Sequence, residues 1–76
     1  MADLPLVPGA TGDLVKQMQG ALINKGFSVG PSGANGVFND DTLTALEAFQ
    51  GDNALPVQPK CDQKCWTALG LPGPNQ

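Results

Sequence analysis

The chain has no histidine, no tyrosine and no arginine. Without histidine, the Ser-His and Cys-His nucleophile pairs and the histidine-bearing zinc sites of hydrolases are excluded. Without arginine, and with four scattered lysines (Lys16, Lys25, Lys60 and Lys64) against seven carboxylates, the net charge of −3 offers no footprint for a phosphate backbone or an anionic membrane surface. A single tryptophan, Trp66, leaves out the aromatic platform on which many sugar-binding modules stack their ligand. No apolar run approaches the ~20 residues of a transmembrane helix. The opening MADLPLVPGATGD has neither the basic start nor the apolar stretch of a signal peptide. Export, on this reading, depends on another carrier or on a longer parent chain.

What is present describes one small folded domain. A chain of 76 residues buries only about 60% of its unfolded surface, so its core is small and its stability marginal. Hydrophobic residues at 41% against charged residues at 14% rule out a disordered segment, and ten glycines with seven prolines predict a loop-rich globule.

Pro5, Pro8, Gly9 and Gly12 keep the first twelve residues out of a helix and predict an extended arm anchored by Leu4, Leu6 and Val7. Val15, Met18 and Leu22 fall at i, i+3 and i+7, the apolar stripe of a helix from Asp13 to about Lys25, stopped by Gly26. The run GFSVGPSGANGV is turn chemistry, with Phe27 and Val29 spaced as in a short extended piece. Asn39 is a good N-cap for a second helix that opens on Asp40 and Asp41 and turns Leu43, Leu46 and Phe49 inward. Asp62 caps a short third helix carrying Trp66 and Leu69, and GLPGPNQ stops it. The expected fold is all-α, a small three-helix bundle with long loops, with residues 1–7 as an arm, 8–71 as the domain and 72–76 as a tail.

The start of the second helix is written again at the third. With Gly36 set over Pro59, Phe38 aligns with Cys61, Asn39 with Asp62, Thr42 with Cys65, Leu43 with Trp66, and Leu46 with Leu69. Each copy places an inward residue before the N-cap and a small residue in the first turn, stapling loop to helix.

Three segments, in order, resemble a known family. GATGDLVKQMQGALINKG is similar to the opening Gly-x-x-Gly-x-x-Val-x-x-Leu-Gln-x-x-Leu-x-x-x-Gly of the peptidoglycan-binding domain family (type 1), through Gly9, Gly12, Val15, Met18, Gln19, Leu22 and Gly26. NGVFNDDTLTALEAFQ resembles that family's Asp-Gly-x-Phe-Gly-x-x-Thr-x-x-Ala-Val-x-x-Phe-Gln, and CWTAL its closing Thr-Trp-x-x-Leu. The chain departs from the pattern at Asn35, Asn39, Gln58-Pro59 and Cys65. The resemblance implies a three-helix bundle that holds wall hydrolases, including phage endolysins, against murein.

Chemistry adds little against a binding role. Asp40 and Asp41 are explained by capping and dipole compensation rather than as a glycosidase couple. Cys61 and Cys65 lack the further ligands of a zinc site and the Cys-x-x-Cys spacing of exchange enzymes. A disulfide and a buried thiol pair remain, and the disulfide is the expectation, because both positions change together and i, i+4 in a helical turn brings them within bridging range. Trp66 is expected to pack in the core with its indole N–H at a groove edge, and Gln19 and Gln50 to hydrogen-bond loop backbone.

The reading is a non-enzymatic module that binds peptidoglycan, by glycan strand or stem peptide, without cofactor or metal, at the cell wall, in the periplasm or outside the cell. Asn35, Asn39, Thr42 and Gln50 are the expected ligand contacts, with Trp66 at the groove edge, because amide side chains both donate and accept and helix starts offer backbone N–H groups to carboxylates. A murein hydrolase or a phage or secretion component is the expected partner. Two other readings stay open: a structural adaptor of a phage particle or secretion apparatus, and an inhibitory pro-segment of a metalloprotease.

Overall fold

The computed structural model describes residues 4–71. Among them are three helices and no strand: α1 (Asp13–Asn24), α2 (Asp40–Asp52) and α3 (Gln63–Ala68). The expected bundle is therefore the observed one; residues 1–3 of the expected arm and the whole of the expected tail, residues 72–76, lie outside the described residues.

Each helix ends where its sequence dictates. At the C-terminus of α1, Gly26 takes φ 94°, its N–H bonds to the Ile23 carbonyl at 2.9 Å, and the Phe27 N–H reaches back to the Leu22 carbonyl at 2.9 Å. This paired closure satisfies carbonyls that a helix end would otherwise leave open. α2 and α3 begin alike: Asn39 Oδ1 accepts from the Thr42 N–H at 2.9 Å, and Asp62 Oδ1 accepts from the Cys65 N–H at 2.9 Å. The internal repeat is thus a repeated cap.

The N-terminal arm ties the two copies together. The Leu6 N–H donates to the Cys61 carbonyl at 2.9 Å and the Leu6 carbonyl accepts from the Cys61 N–H at 2.8 Å, while the Gly9 N–H donates to the Phe38 carbonyl at 2.9 Å. Leu6 is buried and Leu4 half-buried, but Val7 is exposed rather than an anchor. Because residues alternate sides along an extended segment, Val7 points outward where Leu6 points in.

The core gathers Val15, Met18 and Leu22 from α1, Leu46 and Phe49 from α2, and Trp66 from α3, with Phe38, Val29 and Leu6 from the loops. Large side chains of this kind stabilise by about 1.5–3 kcal/mol each when fully buried. Phe27 meets Phe49 edge-on, ring centres 5.9 Å apart, although the Phe27–Val29 segment forms no strand. Leu43 is only half-buried; Thr42 takes the inward place beside Ala45.

The expected disulfide is not formed. Cys61 and Cys65 are free, buried thiols 3.6 Å apart, against about 2.05 Å for a bonded pair. Cys61 lies outside α3 in backbone paired with Leu6, so the separation of i and i+4 within a helical turn does not govern it.

Candidate functional site

The expected ligand contacts fall into two hydrogen-bonded clamps. In the first, Gln19 of α1 is fully buried and its Nε2 donates to Thr42 Oγ1 at 2.9 Å, to the Val37 carbonyl at 2.9 Å and to Asn35 Oδ1 at 3.2 Å. Its Oε1 accepts from the Gly36 N–H at 2.8 Å. Thr42 in turn donates its hydroxyl proton to Asn39 Oδ1 at 3.0 Å, and Asn35 Oδ1 also accepts from the Val37 N–H at 3.0 Å. Gly36 is required here: φ is 81°, and a Cβ would come within 3.3 Å of the Gly12 carbonyl oxygen.

The second clamp repeats the first with changed atoms. Gln50 of α2, also fully buried, donates from Nε2 to the Lys60 carbonyl at 2.9 Å and accepts at Oε1 from the Gln58 N–H at 3.0 Å. It also hydrogen-bonds Cys65, which stands where Thr42 stands in the first copy. The structure thus brings Asn35, Asn39 and Thr42 together, and sets Gln50 apart with Cys65. Asn35 is exposed and Asn39 half-buried, whereas Thr42, Gln50 and Trp66 are buried and show no side-chain surface to solvent.

The thiols belong to this second clamp. The contact with Cys65, followed by burial, pushes the Cys61 thiol far up, so it keeps its proton. The same contact draws Cys65 down, against its own desolvation and with help from Gln50, while Cys61 Sγ donates to the Asp62 carbonyl at 3.9 Å. Neither thiol projects from the surface as a cysteine aimed at a protease zinc would. A cavity of about 150 Å³ lies beside Cys65, bordered by Gln50, Gln58 and Asp62.

A larger groove lies elsewhere, where sequence reasoning did not place a site. It encloses about 600 Å³ between one line of α1 (Gln17, Gly20, Ala21 and Asn24) and the chain leaving α3 (Leu69 to Leu71), with Lys25 at one end. Its signal in the sequence is slight: two amides a helical repeat apart, with a glycine between them. Among the described residues no cluster of three or more His, Cys, Asp or Glu side chains could hold a metal ion, and no helix is long and apolar enough to cross a membrane. Asp40 and Asp41 are both exposed at the start of α2, with Asp41 packed beside Gly30.

Compared with known proteins, residues 11–69 match the family described as "Putative peptidoglycan binding domain". The chain belongs to the peptidoglycan-binding domain family. Its fold is similar to that of the SleB N-terminal domain, with TM-score 0.83 and 31% identity over 92% of this chain and 93% of that one. It is also similar to part of a peptidoglycan-binding protein from Clostridioides difficile (TM-score 0.81, 27% identity, 87% of this chain and 40% of that one). A Burkholderia AP3 phage endolysin shares the fold at TM-score 0.78 and 26% identity, over 92% of this chain and 27% of the endolysin. Among curated proteins, the type VI secretion system spike protein VgrG3 of Vibrio cholerae is 50% identical over 42 residues, 55% of this chain. The matched segment is only 4% of that spike protein's length.

Proposed function

We propose that this domain is a non-catalytic module that binds bacterial cell-wall peptidoglycan and so positions a parent or partner protein, such as a wall hydrolase, against the wall. The family match across nearly the whole fold is the observation that carries the reading. The chemistry of the surface supports it: an open groove lined, among the described residues, by amides and apolar groups with Lys25 as its one cation suits a neutral, hydroxyl-rich and amide-rich polymer. Place of action follows from the ligand: the periplasm, the wall, or the exterior of a bacterial cell. Likeness to a segment of a secretion spike protein favours a second role within the same reading, in which the module travels on a delivery apparatus and engages the wall there.

Co-sedimentation tests the proposal. The pure domain should pellet with insoluble peptidoglycan and release neither reducing sugar nor new amines from it. Binding should change little between low and high salt, because among the described residues Lys25 is the one charged side chain bordering the groove. A domain left in the supernatant with several wall chemotypes would leave only an adaptor role.

A further inference from the structure

We infer that the groove between α1 and the end of α3 seats the glycan strand, with Gly20 as its floor and the Gln17 and Asn24 amides as its hydrogen-bonding ends; this rests on the wall-binding reading above. Gly20 is the telling residue. It sits inside α1, where glycine is a poor helix former compared with alanine. Its backbone is not left-handed, and a Cβ built there would meet nothing within 4 Å. Neither conformation nor internal packing therefore requires glycine at this place, in contrast to Gly36.

What the missing side chain does provide is bare helix surface facing the groove. Gln17, Gly20 with Ala21, and Asn24 lie at i, i+3/i+4 and i+7, on one line about 10 Å long, the span of two linked sugar rings. Leu71, half-buried, offers apolar contact to the C–H face of a pyranose, with only the edges of the buried Ala21 and Leu69 beside it. Gln17 and Asn24 can each donate to and accept from acetamido and hydroxyl groups. A stem peptide, with several carboxylates, would need more positive charge than Lys25 supplies.

The test is binding of Gly20→Met, with Ala48→Met, an exposed substitution on α2, as control. Gly20→Met should weaken sedimentation with peptidoglycan at least tenfold while its melting temperature equals or exceeds that of the wild type, since methionine is the better helix former. Ala48→Met should bind as wild type. Glycan chains stripped of stem peptides by an amidase should displace the wild-type domain from insoluble peptidoglycan, and free stem peptide should not. If Gly20→Met binds undiminished, or if only stem peptide competes, the inference is overturned while wall binding stands. If the wild-type domain does not sediment at all, both fall.

Discussion

Replacing Gln19 with leucine removes the first clamp without changing side-chain size much. The buried Gly36 N–H loses its acceptor, the Thr42 hydroxyl loses a donor, and the Val37 carbonyl is left at the edge of solvent. Each buried group left unpaired costs about 1–3 kcal/mol, but Thr42 keeps its bond to Asn39 and leucine adds apolar burial, so the net loss should be about 2–4 kcal/mol. Domains of this size have roughly 4–11 kcal/mol in total. Each kcal/mol lowers the melting temperature by about 4–8 °C at this chain length, so thermal unfolding followed by circular dichroism should shift down by roughly 8–30 °C. Gln19→Glu sharpens the test. A carboxylate there faces Asn35 Oδ1, the Val37 carbonyl and Thr42 Oγ1, all acceptors, so its folded pKa should rise and the folded state should hold its proton longer than the unfolded chain. That variant should be most stable in acid and lose stability as pH rises above about 4.3, the unfolded glutamate value. A Gln19→Leu loss below ~0.5 kcal/mol, the range of ordinary surface changes, would refute the clamp as a stabilising device.

The second clamp is less buried, so in urea titrations Gln50→Leu should cost only about 1–2 kcal/mol, because water can reach the Lys60 carbonyl and the Gln58 N–H. Asn39→Ala and Asp62→Ala should each cost about 1 kcal/mol through lost capping, and a double variant should come out additive, since the two caps share no partner. Intact mass of the folded protein should show two free thiols. Under limiting iodoacetamide, fragment-ion mapping should find Cys65 modified before Cys61, because Cys65 borders a cavity and its contact with Cys61 draws it down while pushing Cys61 up. Preferential labelling of Cys61 would contradict that arrangement.

Much of the fold was legible in the sequence because local rules and tertiary demands agree in it. Val15, Met18 and Leu22 mark the buried face of α1, and Asn39 and Asp62 cap as their types suggest. The duplicated helix start was visible in the alignment of Phe38 with Cys61, and what made it a physical repeat was not. Gln19 and Gln50 reach across to loops distant in sequence, and the arm threads between Phe38 and Cys61 through backbone pairing that no side-chain pattern announces. The sulfur separation escaped for a related reason, since Cys61 takes its direction from Leu6 rather than from α3. The surface was harder still. Polar type suggested Thr42 and Gln50 as ligand contacts, yet polar residues that satisfy buried backbone look the same in a sequence as polar residues that face solvent. The groove depends on α1 meeting the chain beyond α3, a tertiary juxtaposition carried by Gly20 and two unremarkable amides.

Amide chemical-shift mapping of the isotopically labelled domain, titrated with soluble peptidoglycan fragments, tests wall recognition and its location together. Saturable shifts are expected, centred on Gln17, Gly20, Ala21, Asn24 and Gly70, with the clamp amides of Gly36 and Gln58 unmoved. Shifts centred instead on Asn35 to Thr42, or no shifts with any fragment, would contradict wall recognition at the groove.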